Sequence, residues 1–215
     1  MTGERHKLYA GWLCLDFANT VEPRQGEPRR DHLRGYADLV GWAVHAGALG
    51  RPQATALLAA AARSPERAGA SFRAAIVLRE ATYGAFAAVA GGATPAAADL
   101  AAIQRAYAEA MRHARLLPEP GGLAWAFPED ALDRAWWPLA RSAVELATAG
   151  PLERVKQCPA PPGCGWLFLD GSKNRSRRWC SMRECGNQDK ARRQTARRRA
   201  ARDLPRGRSS ARLGE

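Results

Sequence analysis

Long apolar runs are missing from this chain: no stretch approaches 18 uninterrupted apolar residues, so no segment suits a membrane-spanning helix. The opening residues, MTGERHKLYAGWLCLDF, also lack an apolar run long enough for a secretory signal before charges intervene, and the expected setting is cytoplasmic, with no membrane partner. Histidine is scarce and scattered, at 4 residues, which excludes a metal-binding histidine pair. A phosphate loop and a nucleophile elbow are absent as well, so the expectation is a protein that is not an enzyme. Lysine is sparse, with 4 among 33 Lys+Arg. The arginine bias suits bidentate contacts to phosphate and guanine, but it also follows from a GC-rich coding sequence.

What is present is unevenly placed. Residues 1–150 hold 16 Lys+Arg against 15 Asp+Glu, whereas residues 151–215 hold 17 against 6. Nearly all of the net charge of +12 therefore lies in the last 65 residues, and a positive field so concentrated attracts a polyanion. A chain of 215 residues is long enough for two modest cores. The composition shift at Gly150-Pro151 places the boundary there, giving domains 1–150 and 151–215.

The N-terminal part reads as mainly helical with a small β-sheet, an α+β arrangement. Leu8 to Val21 (LYAGWLCLDFANTV) has the aromatic and apolar content of a strand, or of a hairpin edge broken at Gly11. Glu22 to Arg30, with two prolines and a glycine, reads as an exposed loop. Helical spacing recurs from Tyr36 to Leu49, and the alanine-rich stretch from Pro52 to Leu117 divides into three helices at Ser64-Pro65 and Gly91-Gly92. Leu123 to Phe127 reads as a strand that pairs with the N-terminal strands, and Pro128 opens a helix to about Ala149.

Five cysteines carry the chemistry. Cys14 stands alone in an apolar segment and reads as a buried small hydrophobe. Cys158, Cys164, Cys180 and Cys185 follow C-x5-C-x15-C-x4-C, two close pairs separated by an interval common in structural zinc sites. Four thiolates fill a tetrahedron and leave no position for water, so the reading is one structural Zn2+; two disulfides are the alternative. Trp166 to Asp170 reads as a strand, Gly171 to Arg175 as a turn, Arg177 to Ser181 as a returning strand and the residues after Cys185 as a helix, a treble-clef-like arrangement.

Basic residues surround this unit. Lys173, Asn174, Arg175, Arg177 and Arg178 crowd the turn, where they either contact phosphate or offset the negative charge of a tetrathiolate zinc. Lys190, Arg192, Arg193, Arg197 and their neighbours encircle the following helix and leave no apolar stripe. Such a helix fits the DNA major groove, with Asn187 and Gln188 at its start as adenine readers or, for Asn187, as a cap. RNA is the alternative partner. Trp166, Phe168 and Trp179 read as packing around the metal rather than as base-stacking platforms.

At these residues the chain resembles the CGNR zinc-finger family, through CGWLFLD at 164–170, SKNRSRRWCSM at 172–182 and CGNQ at 185–188. Gln188 stands where that family usually has arginine. LCLDFANTV at 13–21 and WWPLARSAVELAT at 136–148 are similar to the ABATE domain, described as a stress-induced transcription regulator. The resemblance implies a DNA-binding regulator and names no ligand. A small-molecule effector pocket between strands and helices would be lined by Asp16, Asn19 and Trp125, whose plainer reading is a buried hydrogen-bonded turn. One finger offers little contact area, so a homodimer is expected.

Overall fold

The computed structural model describes residues 7–160 and 163–203; Pro161 and Pro162 of the proline-rich cysteine loop lie outside the described residues. Among the described residues the architecture is α+β and mainly helical, with three two-stranded antiparallel sheets. Three alanine-rich helices form its body: α3 (Arg51–Arg63), α4 (Pro65–Ala90) and α5 (Ala97–His113). They match the three expected between Pro52 and Leu117. Pro65 starts α4 in the first turn, where its missing N–H costs nothing. Gly92, at φ +70°, breaks the chain before α5.

The segment read as an N-terminal strand is instead a short helix, α1 (Leu13–Ala18), wedged between α4 and α6 (Trp137–Ala149). Leu15, Phe17 and Ala18 are wholly buried and even Asp16 is closed off from solvent, so the short helix is buried all round and shows no 3.6-residue polar face to distinguish it from a strand. Gly11, at φ +74°, turns the chain into the helix rather than breaking a strand. The core around α1 comprises Leu39 of α2 (Tyr36–His45), Leu57, Leu78, Trp137, Leu139 and Leu146.

The polar loop after α1 also departs from its reading. β1 (Val21–Glu22) pairs with β2 (Arg30–Asp31), and between them Arg24 is buried. Its Nε donates to the Ala18 carbonyl at 2.7 Å and its Nη1 to Glu80 at 2.6 Å, while the guanidinium covers the Tyr83 ring. Arg79 adds a bidentate pair to Asp31, at 2.8 and 2.7 Å. Partners some fifty residues away keep these arginines inside, and no local pattern announces that.

Two later elements are corrected as well. The 123–127 strand, β4 (Gly122–Ala126), pairs with β3 (Arg115–Glu119) and with no N-terminal strand, because the two-residue turn at Pro120-Gly121 closes a local hairpin. The helix expected from Pro128 begins at Trp137, after a 3₁₀ turn over Leu132–Ala135, since Pro138 is accommodated only in a first turn. Among the described residues no helix is long and apolar enough to cross a membrane.

Candidate metal centre

β5 (Val155–Gln157) leads into Cys158, and β6 (Leu167–Leu169) leads out of the loop that carries Cys164. The two strands pair, so the loop is a knuckle on a hairpin. Within it Cys158 N–H donates to the Trp166 carbonyl at 2.8 Å, and Gly165 N–H returns to the Cys158 carbonyl at 3.2 Å. The strand expected over Arg177 to Ser181 is absent, and β6 takes its partner from the residues before the first cysteine. Cys180 ends an irregular return, and Cys185 sits in a π-helical turn, Met182–Gly186, that opens directly into α7 (Asn187–Asp203).

These local structures bring the four sulfurs of Cys158, Cys164, Cys180 and Cys185 within 4.8 Å of one another. Cys180 Sγ lies 3.6 Å from both Cys164 Sγ and Cys185 Sγ. A tetrahedron of zinc–sulfur bonds of about 2.3 Å separates its sulfurs by ~3.8 Å, so the cluster has the size that one zinc requires. None of the four is in a disulfide. Four thiolates this close repel one another, so they cannot all ionise on their own. Only a divalent cation at the centre lets all four ionise together. The metal is a single structural zinc, as the spacing predicts. Cys14 is 1 % exposed in the core, and burial pushes its thiol up, as befits a packing residue.

The basic residues divide into inward and outward sets. Arg177, read as a phosphate contact, turns inward: its guanidinium donates to the carbonyls of Trp179 (3.0 Å), Leu169 (3.2 Å), Tyr9 (2.9 Å) and Cys180, and stacks on Phe168. It does the work of the missing strand ladder. Lys173 and Asn174 are exposed on the turn; Arg175, at φ +51°, pairs with Glu153 at 3.2 Å, and the exposed Arg178 lies over Trp179. Asn187 is exposed and is the first residue of α7 rather than its cap, its amide donating back to the Arg183 carbonyl at 3.0 Å. Gln188 borders a crevice of about 260 Å³ beside the cysteines. Lys190, Arg192, Arg193 and Arg197 are exposed along α7, with Arg193 paired to Asp189 at 2.9 Å. A groove of about 510 Å³ runs beside them, walled by Trp179, Met182, Lys190, Arg193 and Arg197.

Sequence reasoning missed the residues that shape the turn. Asp170 is fully buried and accepts from Lys156 (2.6 Å), Ser172 N–H (2.9 Å), Ser172 Oγ (2.6 Å) and Arg177 N–H (3.1 Å). Burial would raise its carboxyl, but the Lys156 and Ser172 donors outweigh it and hold it well below the usual range. Asp-Gly-Ser at 170–172 is a turn signal that could have pointed to it; nothing local marks Lys156.

Asp16, Asn19 and Trp125 do not form the expected effector pocket. Trp125 is on the β3–β4 hairpin, 40 % exposed, while Asn19 is fully buried and clasps Leu167, donating to its carbonyl at 2.8 Å and accepting its N–H at 2.9 Å. Asp16 accepts the Ala10 N–H at 2.9 Å, and burial pushes its carboxyl up to about 6 against the pull of the Ala10 and Tyr9 amides and Arg177. An unfolded aspartate ionises near 3.9, so this group's contribution is full below about pH 4 and is lost as pH rises through 6. Wild type should lose about 1 kcal/mol between roughly pH 5.5 and 7.5 that Asp16→Asn retains. Urea unfolding at both pH values reads this directly; parallel pH dependence would place the ionisation elsewhere.

Two family models match the chain. The one described as "Putative stress-induced transcription regulator", ABATE, spans residues 11–150, and that of the CGNR zinc finger spans residues 154–198. No curated protein matches.

Proposed function

The chain belongs to the ABATE family and carries a CGNR zinc finger, and on that premise we propose that it is a cytoplasmic, non-enzymatic transcriptional regulator that binds double-stranded DNA. The observation that carries the reading is α7. From Asn187 to Arg199 every residue but Asp189 is exposed, and among the described elements the helix packs chiefly on the zinc-held turn before it. A cationic helix with no apolar face has no reason to dock on its own protein, and its width suits a major groove. The zinc sets where it starts. Lys173, Asn174, Arg175 and Arg178 on the neighbouring turn, with Lys190, Arg192, Arg193 and Arg197, are the phosphate contacts. Gln188 is the base reader at the helix start, beside Asn187.

If roughly six of these cations meet phosphates, log K falls against log salt with a slope of about −5. Replacing Arg192 and Arg197 with glutamine is expected to weaken binding to all sequences alike and to shrink the slope by about 1 each. Fluorescence anisotropy with labelled duplex across a salt series measures both. A slope near zero contradicts the reading, and preference for structured RNA over duplex in competition would move the protein to the RNA-binding class.

The N-terminal region is the proposed sensor, and a cavity of about 490 Å³ between α4, α5 and α6 supports that role better than the surroundings of Asp16, Asn19 and Trp125. Phe86, Ile103, Tyr107 and Val144 wall it, and Leu152 at its edge opens the 3₁₀ turn that leads into β5. An uncharged, largely apolar effector suits this lining. Its occupancy would reach the finger through Arg154, which donates to the Asp170 and Ser172 carbonyls at 2.9 and 3.0 Å.

A further inference from the structure

The β3–β4 hairpin is an unusual surface for a folded chain. Its two strands pack on each other and, among the described elements, make at most slight contact with any other. Antiparallel register sets Leu116 opposite Trp125 and Pro118 opposite Leu123, so these four share one face. That face carries no polar side chain, yet Leu116 is 52 %, Leu123 69 % and Trp125 40 % exposed. A free strand edge beside a bare apolar face is what proteins normally avoid unless something covers it.

The backbone narrows what that something is. In a hairpin closed by a two-residue turn, the pair flanking the turn, Glu119 and Gly122, is hydrogen-bonded. The next pair therefore points its backbone groups outward: Leu116 and Pro118 along the edge of β3, and Leu123 and Trp125 along the edge of β4. Pro118 has no N–H, which blocks the β3 edge at its middle. The β4 edge offers both donors and both acceptors.

We infer that this edge binds a second copy of the chain, β4 to β4, about a two-fold axis at Ala124. The sequence Gly-Leu-Ala-Trp-Ala is complementary to itself in that register: Leu123 meets the partner's Trp125, each exchanging N–H and C=O, Gly122 meets the partner's Ala126, and the two Ala124 residues face each other on the axis. The result is a four-stranded sheet in which each exposed leucine packs on a tryptophan. No charge lies on the face to favour an acidic or basic partner. The contact is small, so association is weak and concentration-dependent.

Sedimentation of the zinc-loaded full chain between about 1 and 100 µM tests this, without DNA and so independently of the regulatory reading. The expected result is a mass that doubles across the range. The double variant Leu123→Lys, Trp125→Lys stays single because like charges then lie opposite each other on an already solvated face, and it keeps its fold and its zinc. Ala124→Cys is expected to cross-link spontaneously without reductant, as facing residues of a non-hydrogen-bonded pair do, while Leu117→Cys on the blocked strand does not exceed the wild-type background. A single-copy mass throughout, a dimer that the double variant leaves intact, or equal cross-linking of the two cysteine variants would each overturn the inference.

Discussion

Cys180→Ser is expected to cost the protein its zinc, its ordered C-terminal third and its DNA binding together. Cys180 is buried, 2 % exposed, and its sulfur lies 3.6 Å from two of the others. A serine oxygen is a poor soft-metal ligand, and structural zinc sites contribute on the order of 10 kcal/mol of apparent folding energy. The small second core around the metal, with Trp166 and Phe168, cannot hold the turn and α7 in place without it. Elemental analysis should fall from one zinc per chain to a small fraction, and duplex affinity should drop to that of an unstructured basic peptide. Cys14→Ser is the matched control, since Cys14 packs in the N-terminal core and touches no other cysteine. A Cys180→Ser protein with full zinc and unchanged DNA binding would refute the centre as described.

Asn19→Ala has the second largest expected effect. The Asn19 amide satisfies both backbone groups of Leu167 in a site closed to water, joining α1 to the strand that follows the second cysteine. Alanine leaves an N–H and a C=O buried without partners, each costing about 1–3 kcal/mol, so a loss of about 4 kcal/mol is expected. For a chain of this size that is about 10 °C in melting temperature. The seam has other stitches: Trp166 Nε1 to the Val21 carbonyl at 3.0 Å, Tyr83 Oη to the Gly165 carbonyl at 3.1 Å, and the amides of Arg24 and Gln25 to the Cys164 and Gly163 carbonyls, both at 2.8 Å. Because the knuckle is held from the helical side, Asn19→Ala should also weaken zinc retention against a chelator. Thermal unfolding and chelator competition check the two halves. A variant that melts as wild type would remove the seam from the stability argument.

The seam also leaves no room for a side chain at Gly163. Its φ is +101°, and a Cβ there would stand 1.3 Å from the Gln25 carbonyl oxygen. The close approach of the cysteine loop to the 22–30 loop therefore depends on a missing side chain.

Four soft ligands at C-x5-C-x15-C-x4-C were enough for the sequence to determine the zinc centre, because the constraint is chemical and needs only that the chain close two short loops. The alanine-rich helices and their breaks were legible for a similar reason: propensity and the Gly and Pro stops act within a few residues. Excess cations around α7 likewise showed from the sequence that no face of it could be buried. Only the tertiary structure decided which apolar run became the helix α1, which strand β6 would pair with, and that Arg24, Arg79 and Arg177 would point inward while Arg178 and the α7 arginines stayed out. Each of those outcomes depends on a partner distant in sequence, such as Glu80 for Arg24, Asp31 for Arg79 or the Tyr9 carbonyl for Arg177. Burial of a charge or a polar amide is settled by whether such a partner arrives, and that depends on packing rather than on local pattern.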